Sequence, residues 1–526
     1  MSANASLLVE QLWQLKRLVD RGECADIQFV HLNNLLREPN YRADVLRRAE
    51  ASGSEKVRKL VGAIRGQDSG TPLMATTDTQ HIPAAEPEAV RATPRKRRHL
   101  VWLAPLVAAG AALTVGFTAL EPQTIRISDD ITTPTTWEGG KTYVLDDIVF
   151  VDNTTLTIEA GATILGENGS ALIVTRGSQL FSRGRPDQPV VFTSAREEGE
   201  RNRGDWGGVV LLGNAPVNQP SAQIEGVPAT DQRGSFGGPD ANDSCGVVEY
   251  TRIEFAGFEV YQNNELNGLT LGGCGSNTIV RHVQVHRALD DGIEMFGGTV
   301  DLKHILVSGA ADDSIDWDWG WRGRVQFAII QQHADVGDNA FEGDNNGNQH
   351  EATPRSEPVF YNVTLAGTGH GAKAHRGMVL REGTGGHFHN MIIDSYAMEA
   401  MDTRDEVRAL AAGGELTFSH NIIAATGTMG SGQQEQGAGD DDYGFDEEAW
   451  LRSPENRNYL SISSVLHPAA RHLTAPDFRP RIPSRDMPAT TPPKSEFFDE
   501  SATFSGAINP KNPGSWLAGW TAFPES

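Results

Sequence analysis

Arg281-His-Val-Gln-Val285 is followed 22 positions later by Lys303-His-Ile-Leu-Val307, and each of these pentads runs on into an acidic stretch, Asp290-Asp-Gly-Ile-Glu294 and Asp312-Asp-Ser-Ile-Asp316. The pentad recurs on both sides, at Thr251-Arg-Ile-Glu-Phe255, Phe327-Ala-Ile-Ile-Gln331, Tyr361-Asn-Val-Thr-Leu365, His389-Asn-Met-Ile-Ile393 and His420-Asn-Ile-Ile-Ala424. Aligned this way, the central residues are Ile253, Val283, Ile305, Ile329, Val363, Met391 and Ile422, spaced 22 to 34 apart. A base period in the low twenties with loop insertions follows. The third position is apolar and the fifth mostly so, which puts both side chains on one face of a strand. A single unit cannot bury that face. Stacked units can, which predicts a parallel solenoid in which each coil contacts its neighbours.

Leucine-rich repeats would need a Leu-x-x-Leu-x-Leu motif, and propeller blades are longer with antiparallel strands of their own. The pattern resembles a right-handed parallel β-helix, with Thr155–Leu165 and Ala171–Leu180 as early coils. The predicted fold is mainly β, a β-helix over 121–500. Residues 501–526, with Trp516, Trp520 and Phe523, are expected to fold back as a cap.

Ahead of it the chain changes character. Residues 99–120 carry no Asp, Glu, Lys or Arg and directly follow Arg95, Lys96, Arg97 and Arg98. That length of apolar chain spans a bilayer, and the basic cluster stays cytoplasmic. The expectation is an uncleaved signal anchor in the inner membrane. It has a cytoplasmic helical domain at 1–65, where Leu8, Leu12, Leu15 and Val19 mark one helical face, and a disordered linker at 66–98. Residues 1–98 have a net charge of +4, so the remainder holds −28 of the chain's −24. A surface this acidic argues against nucleic acid as partner. The expected partners are a glycan, an envelope protein or further copies of the chain.

Asp205-Trp-Gly-Gly-Val-Val-Leu-Leu-Gly-Asn-Ala-Pro-Val-Asn218, Asn267-Gly-Leu-Thr-Leu-Gly-Gly273, Asp290-Asp-Gly-Ile-Glu-Met-Phe-Gly-Gly298, Phe504-Ser-Gly-Ala507 and Gly519-Trp-Thr521 resemble a family of bacterial envelope β-helix proteins of lipoprotein type. The resemblance covers roughly 130–526 and implies the fold and an envelope location, but no reaction. Here a transmembrane segment stands where that family has its lipoprotein cysteine.

Cys245 and Cys274 fall at nearly the same phase of consecutive coils, eight and nine positions before Ile253 and Val283. Strands stack within the Cα range of a disulfide, and a periplasmic location permits one. Cys24 is expected to be a reduced cytoplasmic thiol.

The acidic runs are locked to the repeat. Asp290 and Asp312 each begin seven residues after a pentad centre, Asp338-Asn-Ala-Phe-Glu342 follows Ile329 by nine, and His370 follows Val363 by seven. They should form a column up one side. One reading is a series of solvated turns. A second is calcium, held by Asp290, Asp312, Asp338, Glu294, Asp316 and Glu342, because calcium takes six to eight oxygens in irregular geometry. A third is catalytic. Asp312-Asp313 and Gly369-His-Gly371 resemble motifs of polygalacturonase-type glycosidases, which implies an inverting hydrolase with Asp291, Asp312 and Asp313 as acid and base candidates and His370 nearby. The Arg-Ile-Lys element of those enzymes is missing.

Trp317, Trp319 and Trp321 alternate along the chain and, with Arg324, are candidate ligand-binding residues. Exposed, the rings would make a platform for sugars; buried, they would fill the core. No zinc motif, dinucleotide fingerprint or Ser-His-Asp order stands out. The expectation is a non-catalytic glycan-binding or structural element of the envelope, with the hydrolase and a protein scaffold as alternatives.

Overall fold

A computed structural model describes residues 124–526 apart from 262–263, 370–372, 431–444, 484–485 and 512–515, and on the N-terminal side 39–51, 54–66 and a few isolated positions from 11 to 35. Among the described residues no helix is long and apolar enough to cross a membrane. The predicted span 99–120 lies outside them.

Two N-terminal helices, Pro39–Ala51 and Glu55–Arg65, bury Val45, Leu46 and Ala49 and Val57, Val61 and Ile64. The second starts where Ser54 caps the N–H of Val57. The spacing of its buried residues is that of one helical face.

From Thr124 onward the chain coils. Nine short strands, from Ile148–Val151 through Leu269–Gly272, Ile293–Phe296, Ile315–Asp318 and Asn339–Gly343 to Arg376–Leu380 and Asp402–Thr403, pair in parallel and in chain order as one sheet. Alternating with them, the longer strands Gly246–Glu254, Ile279–His286, Asp301–Ser308, Arg324–Gln331 and Val359–Ala366 pair in parallel in a second stack. Their inward residues, among them Val283, Val285, Ile305, Val307, Val363 and Leu365, belong to one continuous core. This is a parallel β-helix.

Each long strand bends at one residue in the left-handed region: Tyr250, His282, His304, Phe327 and Asn362 have φ between 45° and 63°. Their side chains stack up the coil, Tyr250 on His282 at 4.2 Å, His282 on His304 at 4.3 Å and His304 on Phe327 at 5.0 Å. Burial pushes His282 down to about 4 and His304 to about 3, so this ladder is uncharged at neutral pH.

The bend corrects the pentad alignment. Thr251 rather than Ile253 lies opposite Val283, and Ala328 rather than Ile329 lies opposite Ile305 and Val363. Phe327 takes the turn position, so Ala328 points inward and Ile329 outward. Apolarity could not distinguish the two faces because both are covered. Outward-facing Leu306, Ile329, Ile392 and Ile422 are buried with Val465, Leu466, Phe478, Ala507 and Ile508.

That cover is the C-terminal segment running back along the side of the coil. Asn390 exchanges hydrogen bonds with Thr490, Asn362 donates to the carbonyls of Ala502 and Phe504, Gln284 exchanges bonds with Ala522, and His286 bonds the carbonyl of Pro524. The described residues of 501–526 therefore lie along a lateral face rather than across an end. Cys245 and Cys274, on consecutive coils with Cα atoms 5.7 Å apart, form a disulfide; Cys24 is buried and takes no part in it.

Candidate functional site

The nine-stranded sheet changes chemistry along its outer face. In its early coils Ile173, Val210 and Leu212 are covered by Ala222, Ile224, Val227 and Phe236 of the long loop that follows. Further on, the outward positions turn acidic. Register places Glu294, Asp316 and Glu342 in one column. Two residues along each strand, Asp318 stands beside Asp344, whose N–H bonds the Trp317 carbonyl. Strand alternation explains both columns, because Ile293, Met295, Ile315, Trp317 and Phe341 between them face the core.

The turn before each strand adds two more columns. The inner one holds Asn267, Asp291, Asp313 and Asn339, all buried. Asp291 Oδ1 accepts the N–H of Asp313 at 2.9 Å, and Asp313 Oδ1 accepts the N–H of Asn339 at 2.7 Å. These two carboxylates thus tie each coil to the next. The outer column holds half-buried Asp290, exposed Asp312 and half-buried Asp338.

Carboxylate oxygens of Asp290, Asp291 and Asp312 lie within 4.8 Å of one another, as do those of Asp291, Glu294 and Asp316. Asp291 belongs to both groups. Burial and mutual repulsion hold Asp291, Glu294, Asp313 and Asp316 well above the ordinary carboxylate range. Burial also lifts Asp318 to about 8 and Glu342 to about 7. Arg381 clasps Asp344 with two nitrogens at 2.9 to 3.1 Å and also bonds Glu342. One guanidinium cannot neutralise so many acids. The donors are all oxygen, the choice of a hard cation such as calcium. Asp316 Oδ1 and Asn267 Oδ1 are buried without a hydrogen-bond partner, as unfilled ligand positions would be. The residues fit that ion.

Of the six acids expected to bind calcium, Asp290, Asp312, Glu294 and Asp316 are thus brought together around Asp291. Asp338 lies one coil further on, and Glu342 is engaged by Arg381. Among the catalytic candidates, Asp291 and Asp313 serve the coil-to-coil ladder, Asp312 is at the surface, and His370 lies outside the described residues. Asp318, Asp344 and Arg381 were missed, although Asp316-Trp-Asp318 and Glu342-Gly-Asp344 show the same alternation one coil apart.

The tryptophans do not form a platform. Trp317 and Trp321 are fully buried, their indole N–H groups donating to Thr384 Oγ1 at 3.0 Å and the Val300 carbonyl at 3.1 Å. The strand ends at Asp318, and Trp319, with φ 52°, turns aside to stack on Phe236 at 5.9 Å. Arg324 is held by Asp301 and lies over Phe497.

Asp318 gives the site a testable pH dependence. Its carboxyl titrates near 3.8 unperturbed and near 8 when folded, so between those values the folded chain holds a proton that the unfolded chain has released. This stabilisation is complete below the lower value and is lost as pH rises through the upper one. In calcium-free buffer the thermal midpoint is expected to fall between about pH 5 and pH 8, and to fall less in Asp318→Asn. A flat wild-type profile would contradict this electrostatic picture.

Coiled parallel strands with acidic columns on one outer face define a parallel β-helix domain. Residues 129–446 match the pectate-lyase-like β-helix domain, and the chain belongs to that family. No curated protein and no solved structure matches the chain. The family supports a polysaccharide-related role.

Proposed function

We propose that this chain is an inner-membrane protein anchored by residues 99–120, with its helical domain cytoplasmic and its β-helix periplasmic, and that the acidic face binds an envelope glycan through calcium without cleaving it. The observation that carries the reading is the pair of overlapping carboxylate groups centred on Asp291. Asp290, Asp291 and Asp312 would hold one face of the ion or ions, and Glu294 and Asp316 the other. Bound calcium supplies positive charge to which sugar hydroxyls or carboxylates can coordinate. The protein residues hold the oxygen cage rigid, because Asp291 is fixed by the N–H of Asp313 and Glu294 by the amide of Asn267.

Two features favour binding over hydrolysis. Asp291 and Asp313 are bonded into the coil, and the oxygens of Asp291 and Asp312 are closer than the about 6.5 to 9.5 Å an inverting hydrolase needs for its water. The deciding experiment applies full-length protein in detergent to a glycan array, with calcium and with chelator. Calcium-dependent retention of intact glycan supports the reading. Retention of none, together with a crosslinked envelope protein, would replace it with the scaffold.

Glu342 favours the hydrolytic alternative, since a carboxyl held near 7 can act as a general acid. Shortening of an acidic polysaccharide, abolished by Asp312→Asn, would establish that alternative.

A further inference from the structure

The acids of the outer face repeat on three successive coils, and the coils differ in what balances them. Register makes Asp290, Asp312 and Asp338 equivalent turn positions, and Glu294, Asp316 and Glu342 equivalent strand positions. On the third coil the protein supplies its own cation, because Arg381 bonds Glu342 and Asp344. No such partner serves the first two. Among the described residues no lysine or arginine forms an ion pair with Asp291, Glu294, Asp312 or Asp316, and Arg381 acts on Asp312 and Asp316 only through longer-range attraction. Lys373, which also acts on Asp312 at longer range, is exposed.

Geometry limits how many of these acids one ion can take. Oxygens bound to a single calcium, at about 2.3 to 2.6 Å, lie no more than about 5 Å apart. Asp290, Asp291 and Asp312 meet that limit, as do Asp291, Glu294 and Asp316, each set lying within 4.8 Å. The two sets share Asp291 but do not merge into one. Asp291 Oδ1 is held by the N–H of Asp313, which leaves Oδ2 to bridge. Beside the second set the amide of Asn267 donates to Glu294, and its Oδ1 is buried without a partner in a residue only 4% exposed. Asp316 Oδ1 is buried without a partner as well.

Charge gives the same count. Five carboxylates meet in the two sets, and one divalent cation offsets only two of their charges, leaving three crowded together where burial makes them costly. Two ions offset four. The two places are unlike in access. The first set opens to solvent through exposed Asp312, whereas the second combines buried Asp291 with half-buried Glu294 and Asp316. An ion in the first keeps water in its shell and exchanges; an ion in the second is enclosed by protein oxygens.

We propose that the acidic face is a two-ion site bridged by Asp291, with an inner calcium on Glu294 and Asp316 that fastens adjacent coils and an outer, exchangeable calcium on Asp290 and Asp312. This rests on the calcium reading above and fixes the number and roles of the ions. Calcium-stripped full-length protein in detergent would be dialysed against calcium in about 0.15 M KCl, which screens loose binding to the acidic surface, and the metal counted per chain. Two ions are expected in the wild type, one in Asp312→Asn, one in Asp316→Asn and none in Asp291→Asn. The ion kept by Asp312→Asn should pass to a chelator about tenfold or more slowly than the ion kept by Asp316→Asn. Asp312→Asn changes only an exposed side chain and keeps the test informative if the Asp291 variant folds poorly. One ion in the wild type, or loss of both ions or of neither in Asp312→Asn and Asp316→Asn alike, would overturn the two-ion site and leave the calcium reading standing. No ion in the wild type would overturn both.

Discussion

Replacing Trp317 with alanine is expected to destabilise the β-helix by about 3 to 5 kcal/mol, the usual cost of removing a large buried aromatic side chain. The ring is fully buried among Trp321, Phe341, Phe360 and Phe388, with centroids 5.4 to 6.2 Å away. Removing it also takes from the Thr384 hydroxyl the N–H it accepts, leaving only its bonds to the Ser356 and Gly385 carbonyls. Relaxation is poor here because the next coil already fits the indole. Gly343 lies opposite Trp317, and a Cβ there would stand 2.2 Å from the ring. Urea unfolding of Trp317→Ala and Trp319→Ala compares a core ring with a half-buried surface one. The first should show a much lower midpoint and the second a small shift; equal shifts would contradict the placement of Trp317 in the core.

Calcium is expected to raise the thermal midpoint, and a chelator to reverse the rise. A ligand present at a hundred times its dissociation constant stabilises by about 2.7 kcal/mol. The informative variant is Asp291→Asn. Asn267 and Asn339 already occupy the same column, so an asparagine at 291 keeps an oxygen for the N–H of Asp313 while removing the charge shared by both carboxylate groups. Without calcium this variant should melt higher than the wild type at pH 8, since an amide at 291 escapes the burial and the neighbouring carboxylates that disfavour a charge there. With calcium the order should reverse. A midpoint indifferent to calcium and chelator in the wild type would remove the ion from the proposed function.

Much of this was readable in the chain because a solenoid writes its geometry as a period. Asp290-Asp-Gly-Ile-Glu294 and Asp312-Asp-Ser-Ile-Asp316 stand at one phase of the repeat, and stacking makes equal phase into spatial neighbourhood. The disulfide followed for the same reason. The failures have a common cause. Ile329 and Trp319 were placed by alternation, and alternation breaks where a residue turns left-handed, as Phe327 and Trp319 do. Side-chain type does not announce that turn, since Tyr, His, Phe and Asn all occupy the same position.

The sequence by itself determined the coil, its period, the acidic flank and the pairing of Cys245 with Cys274, because each depends only on phase within a local repeat. Tertiary structure alone decided what covers each face. The C-terminal segment bonds Gln284 from 238 residues away, and Arg203 reaches His333 across 130. Such contacts are set by shape and by unsatisfied hydrogen-bonding groups after the coil has formed, and no spacing along the chain encodes them.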